Sequence, residues 1–385
     1  MADPHAHDHA PAPTATLAPR PEKQEKLPAS EEVTEVAPGV LRLQLPISLP
    51  GLGHVNCYAL EDERGWALVD PGLPSPDEFD ALVMRLASIG VPVARVHTVV
   101  VTHSHPDHFG GAGRLRILCG AEIIAHRSFR TIFDPFDDDS IELLDANAPR
   151  INDDGFDPVL FGKYLLGNDD IPELPARRSP WGGVIPFPTP AEIMGMRSWD
   201  GLAKRGFLTP QPTARVDDAQ IVRLARRDWV AVHTPGHTGD HLCLFDPAEG
   251  ILLSGDHVLP TITPHISGMA ASKDSLADYV AALDKVAALE GVRYVLPAHG
   301  HPFVDLAGRV EAIQRHHHER LDLVSDIAAQ IGEADVIEFS RHLFQERSWG
   351  AMAESETYAH LEHLRLTGQA TMARDGDRKR YRISR

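Results

Sequence analysis

The 385-residue sequence predicts an α/β fold in which two β-rich blocks pack face to face with helices outside, an αββα sandwich. An inserted cap and a small C-terminal winged-helix-like module complete the expectation. Three observations lead there. Short β-rich runs fill the chain from Val33, they return from Gln220, and the stretch between them has a different character.

The first 30 residues, opening "MADPHAHDHAPAPTATLAPR", are rich in proline, alanine and charge, and read as a disordered tail. His5, His7 and His9 are incidental there, because ordering a flexible segment around an ion costs entropy. Next, "GVLRLQLPI", "HVNCYALE" and "GWALVDPG" read as consecutive antiparallel strands. A helix follows, with Ser75 as N-cap, Pro76 at the first helical position, Glu78 closing a capping box and Gly90 just past the end. Phe79, Leu82, Val83 and Leu86 recur at helical spacing and face one core.

"VHTVVVTH" is a buried strand, and "FGGAGRLRILCG" and "AEIIAH" give a helix and another strand. Residues 127–216 carry many prolines and acidic runs such as "DPFDDDS", which over such a length predict a partly helical cap over a site. From Gln220 the strand pattern returns in "IVRLARRDWVAVHTPGHTGDH", "LCLFD", "GILLSGDHVL" and "VRYVLPAHGHP", closing a catalytic domain over 31–305. Within 306–385, helical patterns precede "QATMARDGDRKRYRI", where Asp375 and Gly376 mark a two-residue hairpin turn. Helices followed by a hairpin suggest the winged-helix-like module.

Composition narrows the function. Hydrophobic residues make up 43% and charged ones 24%, as in soluble globular proteins, and the net charge of -18 disfavours coating DNA or an anionic membrane. No apolar run is long enough to span a membrane, and no secretory-type apolar core opens the chain. Cys57, Cys119 and Cys243 are far apart and form no CxxC pair, so neither a disulfide framework nor a thiolate zinc site is expected. The expected compartment is a reducing cytoplasm.

The chemistry concentrates in "VVVTHSHPDHFGG". In an extended segment side chains two apart point the same way, so His103 and His105 reach one point while Ser104 turns away. Pro106 ends the strand, and the forced turn lets Asp107 and His108 address a neighbouring position. Imidazole and carboxylate donors without thiolate suit zinc, iron or manganese. Three later segments, "HTPGHTGDH", "LLSGDHVL" and "LPAHGHP", also end apolar runs with suitable groups.

These four motifs, in this order, resemble those of the metallo-β-lactamase superfamily of metal-dependent hydrolases, over roughly Val33 to Val304 apart from the insertion. The resemblance implies His103, His105 and His237 around one metal, Asp107, His108 and His299 around a second, and Asp256 bridging both. It places Asp70 behind the ligands, where it orients them. His257 and His265 are expected near the pocket. His233 and His241 are expected to pack or to support His237, and His301 to lie on an exposed loop. His316, His317 and His318 fan around a helix and are expected on a solvated face.

The resemblance implies two zinc ions per chain, with iron or manganese as alternatives, and hydroxide held between ions about 3.5–4 Å apart. Asp107 and Asp256 carry the catalytic assignments, Asp107 orienting the hydroxide and helping to deliver a proton to the leaving group. The expected reaction is hydrolysis of a small-molecule ester, thioester or lactam, with a thioesterase favoured. The seven-ligand set resembles that of the glyoxalase II type, whereas the C-terminus resembles the extension of the β-lactamase-like protein 2 group, which includes enzymes acting on RNA and on acyl thioesters. Endoribonuclease and single-iron sulfur dioxygenase are the alternatives. Nucleic acid is a less favoured partner, because acidic residues offset the basic segment "DRKRYR". No oligomeric state follows from the sequence.

Overall fold

The computed structural model describes residues 23–48, 51–131, 179–183, 210–269 and 272–384. Most of the expected cap, 132–178 and 184–209, and the tail up to residue 22 lie outside the described residues. In the first sheet, β1 (Thr34–Ala37), β2 (Val40–Pro46), β3 (His54–Asp62) and β4 (Gly65–Val69) pair antiparallel in succession. Then β5 (Val96–Val100), β6 (Glu122–His126) and β7 (Ala214–Val216) continue it in parallel. The second sheet has the order β12-β11-β10-β9-β8, built from β8 (Ile221–Leu224), β9 (Arg227–His233), β10 (Leu242–Asp246), β11 (Ile251–Gly255) and β12 (Tyr294–Pro297). Only β11 and β12 pair in parallel within it.

Side-chain alternation explains why such strands are apolar on both faces. Along β3, Val55, Cys57 and Ala59 join the outer core, whereas Tyr58 and Leu60 join the core between the sheets. Leu242, Leu244, Ile251 and Leu253 meet them from the second sheet. The helices α1 (Pro76–Ser88), α2 (Pro106–Phe109) and α3 (Ala112–Cys119) follow β4 and β5, and Phe79, Leu82, Leu86 and Leu115 cover the first sheet. Each such buried side chain contributes about 1.5–3 kcal/mol. As expected, Ser75 Oγ accepts the Glu78 amide at 3.4 Å.

On the far side lie α4 (Ser275–Ala287) and α5 (Leu306–Ile331), whose Leu276, Tyr279, Leu283, Val310 and Ile313 cover the second sheet. The layers are therefore α, β, β and α. The sequence reading did not single out α4, although Asp274 caps it through the Ala277 amide and its apolar residues keep helical spacing.

The last residues add α6 (Val336–Leu343), α7 (Ala351–Leu366) and a small sheet of β13 (Ala334–Asp335), β14 (Ala370–Asp375) and β15 (Arg378–Ile383). Asp375 pairs with Arg378, so the hairpin turn is Gly376–Asp377, one residue later than expected. Gly376, at φ 64°, supplies the left-handed position. The boundary drawn at residue 306 falls at the head of a shared helix. In α5, Val310 and Ile313 belong to the catalytic core, whereas Val324 and Ile327 belong to the core of the module. From the insertion, Trp181 packs into that module, and its carbonyl accepts the Lys379 amide at 2.9 Å.

Two further expectations need correction. Residues 23–30, assigned to the tail, are structured, with a 3-10 turn at Gln24–Lys26 and a buried Glu25. His317 is buried rather than solvated, its ring against Tyr279 and its Nδ1 3.2 Å from His360 Nε2, because α7 packs over that face of α5. Among the described residues no helix is long and apolar enough to cross a membrane.

Candidate metal centre

The strands β4, β5, β9, β11 and β12 all end at one edge of the sandwich, and each is followed there by a chemistry-bearing residue. Asp70 follows β4, and the His103–His108 segment follows β5. His237, Asp256 and His299 come after β9, β11 and β12. The backbone ties the two sheets together at that edge: the Leu242 amide donates to the Thr102 carbonyl at 2.8 Å, and the Asn56 amide to the Ala298 carbonyl at 2.7 Å.

Ligand-capable atoms gather in two groups. His103, His105, His237 and Asp256 form one, and Asp107, His108 and His299 the other; within each, these atoms lie within 4.8 Å of one another. His105 Nδ1 is 3.0 Å from His103 Nε2 and 3.1 Å from His237 Nε2. Asp256 reaches both groups: Oδ2 lies 3.4 Å from His237 Nε2 and 3.7 Å from His108 Nε2, and Oδ1 lies 3.2 Å from His299 Nε2.

Hydrogen bonds on the far ring nitrogens set the tautomers. His237 Nδ1 donates to the His265 carbonyl and His299 Nδ1 to the His54 carbonyl, each at 2.7 Å. His108 Nδ1 donates to Asp70 Oδ2 at 2.9 Å. That oxygen also accepts the Thr102 hydroxyl at 2.7 Å, which leaves Thr102 Oγ1 to accept from His103 Nδ1 at 3.0 Å. Four imidazoles therefore turn Nε2 lone pairs inward.

His108 Nε2, His299 Nε2 and Asp256 Oδ1 are buried without a hydrogen-bond partner. Lone pairs facing carboxylate oxygens across 3–4 Å need a cation or protons between them. Protons can do part of this. Burial pulls His108 down, yet Asp107, Asp256 and Asp70 outweigh it and hold the imidazole well above its ordinary value. Burial likewise pulls His299 down, but Asp256 outweighs it and raises the imidazole above its ordinary value. Against burial, His299 and His108 hold the Asp256 carboxyl well below the carboxylate range. His105, by contrast, falls to about 3 through burial and the neighbouring His237. The donor set thus fits divalent cations, which replace those protons.

The supporting residues separate clearly. Asp70 stands behind His103 and His108 as described. His265 supports His237 by its backbone, while its own ring lies 3.5 Å from Glu356 of α7. His257 is fully buried, packed against Tyr279 and His241, with neither ring nitrogen partnered. His241 Nε2 accepts the Asp256 amide at 3.0 Å, so His241 fixes the backbone of the residue between the clusters. His233 stacks on His126 at 3.8 Å, and exposed His301 meets Arg42. Thr102 and His54 were missed, because a threonine and a backbone carbonyl carry no motif of their own.

The metallo-beta-lactamase superfamily model matches residues 50–299. The chain belongs to that superfamily. It is a metal-dependent hydrolase of this fold, and the superfamily implies a binuclear divalent-metal site where the two clusters lie. A probable metallo-hydrolase, YqjP from Bacillus subtilis, is 25% identical over 279 residues, covering 71% of this chain and 75% of that protein. The atrochrysone carboxyl ACP thioesterase AgnL7 of Paecilomyces divaricatus is 35% identical over 113 residues, 29% of this chain and 33% of that protein. A metallo-beta-lactamase family protein of Thermus thermophilus superposes with a TM-score of 0.66 at 27% identity, covering 91% of this chain and all of that one.

Proposed function

We propose that this superfamily hydrolase binds two zinc ions and cleaves small-molecule thioesters. The observation that carries the reading is Asp256, whose carboxylate faces both clusters, Oδ2 towards His237 and His108 and Oδ1 towards His299, while His241 holds its amide. His103, His105 and His237 would hold one ion, and Asp107, His108 and His299 the other. Bound there, the ions would supply an activated water and an electrophile for a substrate carbonyl.

The chain's own residues account for the rest. Asp107 Oδ2 lies 3.4 Å from His108 Nε2 and 3.5 Å from His299 Nε2, at the face of the second cluster, where it can orient water and pass a proton to a leaving thiolate. Cysteine takes no part: Cys57 and Cys243 are buried in the cores, and burial pushes their thiols up, Cys243 to about 12. The donors are imidazole and carboxylate, which supports zinc. The thioesterase relative supports the substrate class.

The C-terminal hairpin supports a small substrate over RNA. Arg378 pairs with Asp335 at 2.6 Å, Arg382 with Glu333 at 2.9 Å, and Arg380 with Glu333 and Glu338, so these charges are engaged within the module. The test is a panel of short acyl thioesters, lactams and RNA offered to zinc-loaded protein, with chelation and zinc restoration as controls. Zinc-restored thioester turnover is expected. RNA cleavage without thioester turnover would overturn the reading.

A further inference from the structure

We propose that Glu25 is a positioning residue for the metal centre, acting from the segment Gln24–Leu27 on the loops behind both clusters. The inference rests on the metal-centre reading above. Glu25 is fully buried, which is costly for a carboxylate unless donors satisfy it. One loop supplies them: Oε1 accepts the Thr261 amide at 2.8 Å and the Ile262 amide at 3.0 Å, and Oε2 accepts the Thr261 hydroxyl. That loop leads to His265, whose carbonyl fixes the His237 ring at 2.7 Å.

The same segment holds the other cluster. The Glu25 carbonyl accepts the Gly53 amide at 2.9 Å, and the Leu27 carbonyl accepts His54 Nδ1 at 2.7 Å. His54 Nε2 then accepts the Gly300 amide at 3.1 Å, and the His54 carbonyl fixes the His299 ring at 2.7 Å. The approach leaves no slack: a Cβ on Gly53 would sit 2.2 Å from the Leu27 carbonyl. Gln24 adds a third tie, its Oε1 accepting the His301 amide at 3.1 Å. One ligand from each cluster is thus oriented by a carbonyl whose loop this segment clamps. Partners of this kind tune metal affinity by about 10–100-fold.

The experiment titrates full-length, metal-free protein with cobalt(II) against a competing chelator, reading affinity and the visible d–d absorption. Glu25→Ala is expected to weaken binding at least about tenfold and to shift the absorption. Glu25→Gln should restore most of the affinity, because its amide oxygen keeps both backbone amides and its NH2 can donate to Thr261. If Glu25→Ala does not fold, Glu25→Asp keeps the charge, withdraws it by one methylene and should show the same loss. A Glu25→Ala or Glu25→Asp protein that melts earlier yet binds cobalt with unchanged affinity and spectrum would overturn the proposal. Wild-type protein that takes up no cobalt would instead overturn the metal-centre reading, and the positioning role with it.

Discussion

Asp70 accepts the Nδ1 proton of His108 at 2.9 Å on the same carboxylate oxygen that takes the Thr102 hydroxyl. Its other oxygen accepts the Thr102 amide at 2.8 Å, so one aspartate at the end of β4 fixes a ring in each cluster. Asp70→Asn keeps the shape but presents one amide group that can only donate. It should cost about 10–100-fold in metal affinity, measured by chelator competition. Affinity equal to wild type would mean that the rings are held by packing alone.

Asp256→Ala removes the carboxylate that faces both clusters. Metal occupancy should fall and turnover should drop by orders of magnitude, while circular dichroism stays close to wild type. Full occupancy with full turnover would reject the bridging role.

Gly255 precedes that aspartate with φ 51°, and a Cβ there would meet His241 Nε2 at 2.6 Å. Gly255→Ala therefore strains the backbone and pushes on the ring that accepts the Asp256 amide. A loss of about 1–3 kcal/mol is expected in urea unfolding. Cobalt affinity should fall with it.

The buried pair on α5 and α7 makes stability depend on pH. Burial, then His360, lowers His317 to about 3, and burial lowers His360 to about 4. Unfolded histidine takes its proton near pH 6.5, so below that the unfolded chain binds more protons than the folded one. Stability from these groups is present above about 6.5 and is lost as pH falls towards 4, at up to about 1.4 kcal/mol per pH unit for each group. His317→Phe should flatten that slope in urea melts between pH 7 and 5. An unchanged slope would show that the pair is not the titrating group.

The layer order was legible because apolar alternation, the Ser75 cap and the glycine and proline punctuation act over a few residues. The pairing of His103 with His105 was legible because side chains two apart on an extended segment point the same way, whereas the full set of seven that converge was legible only through the resemblance of four motifs to those of the superfamily. The supporting contacts were not. His54 and His265 act through carbonyls, which any residue supplies, and Glu25 lies in a stretch whose composition resembles a tail. Its burial depends on Thr261, 236 positions away. His317 misled for a similar reason: a helix face reads as solvated until the partner that covers it, here His360, is known.

Elemental analysis of the purified chain tests the central claim most directly, counting zinc, iron and manganese per polypeptide before and after zinc reconstitution. Two divalent ions per chain are expected, falling in Asp256→Ala. A reconstituted protein that holds none, or only one ion whose binding survives loss of Asp107, His108 and His299, would contradict a centre built from both clusters.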